Sequence, residues 1–144
     1  STLMRVLVTG GREFYNKLLL KRTLDALHAR KKIGPLIISA SFELKGADIP
    51  VGPITCLIQG GANGADFLAN HWATAYSGVH VEKYKYELGG TSKQAGHVRN
   101  LMMLVQGKPD LVVAFSGGKG TNDMKRQARK AGVKVLEIED DSNS

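Results

Sequence analysis

The chain has 144 residues, 42% of them hydrophobic and 23% charged, which is the composition of one soluble globular domain with its own core. Its formal charge is +7, which suits a phosphorylated ligand or a nucleic acid but is equally compatible with solvated helix faces. The longest apolar runs have strand length and no charged-then-apolar leader precedes them, so the sequence predicts no membrane span and a cytoplasmic location.

The cysteine and histidine content gives no indication of a metal centre. Cys56 is the lone cysteine and lies in the apolar run at residues 54–58, where a free thiol is usually a core residue. It has no partner for an internal disulfide. None of the four histidines has a Cys or His at metal-ligand spacing. We therefore expect a buried thiol, no metal site and no cofactor.

The first third of the chain predicts a strand, a glycine turn and a helix. Residues 4–9 are apolar and predict a central strand, and residues 10–14 form the first turn. Residues 15–30 carry leucines at helical spacing, which predicts an amphipathic helix with its leucines on the sheet. Residues 36–53 contain glycines and prolines without a clear period, and we interpret them as an insertion to which no chemistry is assigned.

The order of strand and helix then repeats. Further strands are predicted at residues 54–59, 79–86, 110–116 and 133–138, and further helices at residues 65–76, 97–106 and 121–131. In the first of these helices, Trp72 shares an apolar face with Phe67 and Leu68, so we expect it in the core. The alternating strand at 79–86 is typical of a sheet edge.

Two polar segments complete the pattern. Residues 88–96 are expected to form a flexible loop suited to closing over a ligand, and residues 139–144 a disordered acidic tail. The repeated order predicts an α/β fold for residues 1–138: a single doubly wound, mainly parallel sheet with helices on both faces.

Glycine-rich turns follow three of the predicted strands. Glycine lets a ligand approach the backbone, and the unpaired amides at a helix start favour an anion. Turns at the carboxyl ends of parallel strands open on the same edge of a sheet. We therefore predict a shared phosphate site, with independent structural turns as the alternative. Its backbone and turn residues are Gly10, Gly11, Arg12, Gly60, Gly61, Asn63, Gly64, Ser116, Gly117, Gly118, Lys119, Gly120 and Thr121.

Several side chains around these turns have two interpretations. Arg12 and Arg99 suit phosphate clamps, since a guanidinium binds phosphate oxygens in pairs, or are surface charges. Lys119 either adds a charge at the phosphate or points to solvent. Thr121 can contact phosphate and cap the following helix together. Asn100 could contact a ribose hydroxyl or a base edge, or serve as a local cap. Asp66 could hold ribose hydroxyls, or serve as a favourable charge at a helix start.

Four motifs in order resemble the YspA-like branch of the SLOG superfamily. They lie at residues 10–14, 60–66, 95–103 and 107–124, and the resemblance covers nearly the whole chain except residues 36–53. The superfamily also contains the LOG phosphoribohydrolases and the DNA-processing protein DprA/Smf. The resemblance implies a Rossmann-like sheet that binds nucleotides or nucleotide-derived ligands at the carboxyl ends of its strands, and relatives with this fold commonly form homo-oligomers through helix faces.

LOG enzymes cleave the N-glycosidic bond of a nucleoside monophosphate with a motif Pro-Gly-Gly-X-Gly-Thr-X-X-Glu and an upstream helical arginine. On this chain the resemblance assigns the phosphate cradle to Gly117, Gly118, Gly120 and Thr121, and the arginine to Arg99. Ser116 replaces the proline, and Met124 stands at the position of the catalytic glutamate. Asp123, about 100° away around a helix, and Asp66 are therefore the candidate catalytic carboxylates, with Arg99 as their partner.

Three functions follow as hypotheses. The first is a sensor or sequestering module that binds a nucleotide or a nucleotide-derived ligand. The second is a LOG-like N-glycosidase. The third is a DprA-like binder of single-stranded nucleic acid, which the positive charge favours and the aromatic content of 6% disfavours, because stacking platforms usually accompany basic grooves.

Overall fold

A five-stranded parallel sheet forms the centre of the protein. The computed structural model describes residues 4–28, 53–75, 78–84 and 95–138. The sheet order is β3-β2-β1-β4-β5, and each neighbouring pair of strands is parallel. The strands are β1 (Met4–Thr9), β2 (Ile54–Gln59), β3 (His80–Lys83), β4 (Leu111–Ala114) and β5 (Lys134–Glu137). The central position of β1 and the edge position of β3 are confirmed.

Helices cover both faces of this sheet. In the described residues they are α1 (Lys17–His28), α2 (Ala65–Ala73), α3 (Ala95–Val105) and α4 (Lys119–Lys130). Successive strand residues point to opposite faces, so Val6 and Val8 pack with α1 and α2, whereas Leu7 packs with α3 and α4. The predicted α/β class, with one doubly wound sheet and helices on both faces, is confirmed.

The order of the strands creates a crevice beside the central strand. From β1 the chain passes to β2 and β3 on one side, and it then returns to β4 on the other side of β1. In open parallel sheets, ligands bind outside the carboxyl ends of the strands at such a reversal. The turns that follow β1 and β4 therefore lie next to each other at the position where this architecture places its ligands.

Two exposed side chains correct the predicted helix faces. Leu18 of α1 is 56% exposed and Phe67 of α2 is 62% exposed, although both were expected to face the sheet. The sheet-facing side of α2 consists of the small residues Ala65, Ala69 and Ala73, which let the helix approach the strands closely and leave the large Phe67 outside. Small residues carry little weight in an apolar pattern, so the sequence placed Phe67 on the buried face, although its prediction for Trp72 was correct.

Other expectations about the core are confirmed. Cys56 and Trp72 are buried, and the indole Nε1 of Trp72 donates a hydrogen bond of 2.9 Å to Asp25 Oδ1 of α1. Burial raises the pKa of the Cys56 thiol to about 11, so it is a protonated core residue at neutral pH. Within the described ranges, no helix combines the length and the apolar character needed to cross a bilayer.

Some predicted segments fall where the structure gives no description. The insertion at residues 36–53, apart from residue 53, and the acidic tail at 139–144 lie outside the described part of the chain. The polar loop predicted at residues 88–96 also lies outside it, except that residues 95–96 form the start of α3. α1 begins at Lys17, two residues later than predicted, because Asn16 Oδ1 accepts a hydrogen bond of 3.0 Å from the amide of Leu19, as a helix N-cap does.

Candidate functional site

A pocket of about 690 Å³ opens at the carboxyl ends of the strands. Its walls come from the turn after β1, the turn after β4 with the start of α4, the start of α2 and one side of α3. This is the crevice beside the central strand. The lining residues are Val8, Thr9, Gly10, Gly11, Arg12, Glu13, Phe14, Tyr15, Ala62, Asp66, Arg99, Met103, Ser116, Gly117, Gly118, Lys119, Gly120 and Thr121.

Backbone hydrogen bonds join the three glycine turns to one another. The amide of Gly11 donates to the carbonyl of Ser116 at 2.8 Å, which links the turn after β1 to the turn after β4. The carbonyl of Gly11 accepts from the amide of Ala65 at 3.3 Å, which links it to the start of α2. At Gly10, an added Cβ would lie 2.6 Å from the Cβ of Ala65, so only glycine permits this approach.

The start of α4 presents open backbone to the pocket. Gly118 is the N-cap residue of α4 and contributes no side-chain cap, and Lys119 and Gly120 in the first turn are exposed. An added Cβ at Gly117 would collide with the hydroxyl of Thr121, whereas Gly118 and Gly120 face open space. The amides of this first turn, with their partial positive charge, are therefore accessible to an anion.

Asp66 closes the second turn and lies beside Arg99. Its Oδ2 accepts hydrogen bonds from the amides of Gly60 at 3.1 Å and of Ala62 at 3.2 Å. Burial raises the pKa of the Asp66 carboxyl group, although the two amides and the charge of Arg99 oppose the rise. An added Cβ at Gly60 would lie about equally close to Arg99 Cζ, at 3.0 Å, and to Asp66 Oδ2, at 3.1 Å. A carboxylate and a guanidinium thus lie side by side in the pocket wall.

Asp123 lies away from the pocket lining and links α3 to α4. Its Oδ1 is 2.8 Å from His97 Nδ1, and its Oδ2 accepts from Asn100 Nδ2 at 3.0 Å and from Gln127 Nε2 at 2.8 Å. Burial alone would raise the pKa of Asp123, but hydrogen bonds from His97, Asn100 and Gln127 outweigh it and hold the pKa below its ordinary value. Both carboxylate oxygens are therefore engaged within the protein.

Asn100 is also directed at the protein rather than at the pocket. The side chain is 1% exposed, and besides Asp123 it donates to the carbonyl of Gly120 at 3.1 Å. Asn100 thus anchors the first turn of α4 to α3.

Most residues of the second glycine turn do not line the pocket. These are Gly60, Gly61, Asn63 and Gly64, while their neighbours Ala62 and Asp66 do line it. Gly64 adopts a φ of 75° close to the carbonyl of Gly11, so it permits the contact between turns.

Sequence reasoning missed several residues in the wall of the pocket. The lining also includes Thr9 at the end of β1 and the three residues after Arg12, which are Glu13, Phe14 and Tyr15. Met103 of α3 contributes an apolar side chain. Phe14 is buried against Phe115, with ring centroids 5.0 Å apart, and anchors the turn to the strand beside it. For Glu13 and Phe14 the available signal was their place in the predicted connection between the first strand and helix, which follows the carboxyl end of β1.

Met124, which stands at the position of the LOG glutamate, is a core residue. It is fully buried and packs with Leu7, Met103 and Val112 beneath the sheet. The start of α4 resembles the LOG motif, but the fourth residue after Gly120 points into the core. In the described ranges, no group of three or more His, Cys, Asp or Glu is arranged to hold a metal ion.

The fold and the pocket define a doubly wound α/β protein with a glycine-built crevice at the centre of its sheet. The Gene 61 protein of Mycobacterium phage D29 is 36% identical over 90 residues, which span 58% of this chain and 71% of the phage protein. The chain belongs to the same family as this phage protein. No protein-family model matches the chain, and no solved structure is significantly similar to it.

Replacing Met124 with glutamate tests whether this position is closed to solvent. Met124→Glu is expected to destabilise the fold by at least about 3 kcal/mol, because a carboxylate would be buried without a partner. Met124→Leu, which keeps the volume, is expected to cost less than about 1.5 kcal/mol. Urea denaturation followed by circular dichroism measures both. A Met124→Glu protein as stable as the unsubstituted one would show that this position can reach solvent.

Acid denaturation tests the role of Asp123. Since its pKa is depressed in the folded state, its contribution to the free energy of unfolding is fully present above its unfolded pKa of about 4. That contribution is lost as pH falls through the lower folded pKa. Urea unfolding of Asp123→Asn and of the unsubstituted protein should therefore differ more at pH 7 than near pH 3. An equal difference at both pH values would contradict the ionised link between α3 and α4.

Proposed function

We propose that the protein binds a nucleotide or a nucleotide-derived ligand, with its phosphate at the start of α4, and acts as a sensor or sequestering module. One observation carries this proposal. The turns after β1 and β4 are joined by the hydrogen bond from Gly11 to Ser116 and open together on one pocket at the reversal of the strand order. In open parallel sheets, ligands bind outside the carboxyl ends of the strands at such a reversal, which supports a ligand site here rather than unrelated turns.

The charges around the pocket favour an anion. Arg12, Arg99 and Lys119 line it together with the uncapped first turn of α4. A guanidinium binds phosphate oxygens in pairs, and a helix start adds a partial positive charge of roughly half a unit. Glu13 and Asp66 are the acidic residues of the lining, and Asp66 is occupied by the amides of its own turn. The phosphate would therefore meet three cations and open backbone amides.

The size of the pocket supports a ligand larger than phosphate. Pockets for small organic ligands span roughly 300–1,000 Å³, and this one holds about 690 Å³. The phosphate end would lie at Gly117–Thr121, and the remainder would extend towards the turn after β1. A pocket of this volume has room for a sugar and a base attached to the phosphate.

A LOG-like N-glycosidase is the second candidate, favoured by the two carboxylates in the lining. Cleavage of the N-glycosidic bond develops positive charge on the ribose, which a nearby carboxylate stabilises. Asp66 and Glu13 line the pocket, whereas Asp123 lies between helices and Met124 lies in the core. If the protein is an enzyme, Asp66 with Arg99 is the better-placed pair of those predicted from the sequence.

Chromatography of incubated nucleotides separates these two functions. A binding module is expected to return nucleoside monophosphates intact after prolonged incubation, because it holds the ligand without activating water. Release of free base that disappears in Asp66→Asn would instead favour the enzyme. Asn122→Ala, an exposed substitution on α4 outside the lining, is the control for a contaminating hydrolase.

Binding of single-stranded nucleic acid has weaker support. Part of the positive charge on α4 is neutralised, because Lys125 and Arg129 both form ion pairs with Glu137 of β5. Lys21 of α1 similarly pairs with Asp25. These pairs reduce the field available to a phosphate backbone.

A charge placed at Gly120 tests the phosphate site. Gly120 lies in the first turn of α4 with open space around it, so Gly120→Asp fits the fold and interacts favourably with the helix dipole. The same carboxylate would repel a phosphate, and we expect nucleotide affinity measured by calorimetry to fall at least about tenfold. Gly120→Ala adds a methyl group without the charge and should lose less affinity. Equal affinity in Gly120→Asp and Gly120→Ala would contradict the proposal.

A further inference from the structure

The aromatic ring of Tyr15 lies at the rim of the pocket in an unusual setting. Tyr15 lines the pocket and is nevertheless 67% exposed, the most exposed of the large hydrophobic residues in the described part of the chain. Covering an aromatic side chain with a planar ligand removes apolar surface from water, which favours binding. Phe67, which is 62% exposed on α2, lies outside the lining and offers a matched comparison.

The backbone on both sides of Tyr15 is fixed. On one side Phe14 is buried against Phe115, and its amide donates to the carbonyl of Gly11 at 3.2 Å. On the other side Asn16 caps α1, and the amide of Lys17 donates to the carbonyl of Tyr15 at 2.7 Å. The backbone of Tyr15 is therefore held on both sides, so its side chain starts from a fixed point of the pocket wall.

The ring and the phosphate end occupy the same pocket. The turn that carries Tyr15 is hydrogen-bonded through Gly11 to Ser116, next to the open start of α4. A ligand with its phosphate at α4 would occupy a pocket that Arg12, Glu13 and Tyr15 also line. Planar heterocycles stack on exposed aromatic side chains, because stacking removes one face of each ring from water. It tolerates different bases, since every base has such a face.

We infer that Tyr15 is the stacking platform for the base of the ligand, so that the pocket selects nucleotides over sugar phosphates. This rests on the proposed function and extends it, since it assigns the two ends of the pocket to the two chemically different ends of one ligand. Phosphate recognition lies in Gly117–Thr121, and recognition of a planar ring lies in Tyr15. Glu13, also exposed in the lining, offers a carboxylate that accepts hydrogen bonds from ribose hydroxyls.

Calorimetry with two kinds of probe tests the assignment. The four common nucleoside 5′-monophosphates and ribose 5-phosphate share the phosphate and the sugar, and only the nucleotides carry a base. Tyr15→Ala is expected to weaken nucleotide binding about 5- to 100-fold and to leave the affinity for ribose 5-phosphate unchanged. Tyr15→Phe keeps the ring and should retain nucleotide binding, and Phe67→Ala, which removes an exposed ring elsewhere, should have no effect on either probe.

The outcomes separate the two proposals. If the unsubstituted protein binds nucleotides and Tyr15→Ala binds them equally well, the platform is overturned while nucleotide binding stands. If Tyr15→Ala weakens both probes to the same extent, Tyr15 contributes to the shape of the whole pocket and the platform is also overturned. If the unsubstituted protein binds neither the nucleotides nor ribose 5-phosphate, the proposed function itself fails. Melting curves by circular dichroism establish that every variant is folded.

Discussion

The backbone amide and carbonyl of Gly11 connect the segments that form the candidate site. Its amide donates to Ser116 in the turn after β4, and its carbonyl accepts from Ala65 at the start of α2 and from Phe14 in its own turn. One residue thus connects three segments that are far apart in the sequence. An added Cβ at Gly64 would collide with the oxygen of this carbonyl, so the contact requires glycine at position 64. The pocket exists because these connections hold the turns at one edge of the sheet.

Polar residues near this edge divide into two groups. Asp66, Asn100 and Asp123 are engaged by other groups of the protein: backbone amides hold Asp66, and Asn100 and Asp123 join α3 to α4. Arg12 and Lys119 are exposed in the lining. The first group fixes the shape of the walls, and the second gives the opening its positive charge. Side chains that are hydrogen-bonded within the protein keep the walls of the pocket in one arrangement, while the exposed cations stay accessible.

The sequence was most informative where a single physical requirement controlled the pattern. Strands buried on both faces read as apolar runs, so the central position of β1 was predictable. Glycines at the ends of strands predicted which turns meet, since close backbone contact excludes side chains. Side-chain direction was harder to predict. Asp123 was a plausible carboxylate because it is adjacent to Met124 in the motif, but its orientation depends on Asn100 and Gln127, which come from packing between two helices. Tyr15 was assigned to a helix, because the cap at Asn16 does not show in the spacing of apolar residues.

The position of Trp72 has a spectroscopic consequence. It is the one tryptophan in the sequence, and it is buried on the side of the sheet that packs with α1 and α2, outside the pocket lining. Its indole emission therefore reports the integrity of that half of the core. A change of this emission on denaturation follows the unfolding of the α1 and α2 side of the sheet without any added label.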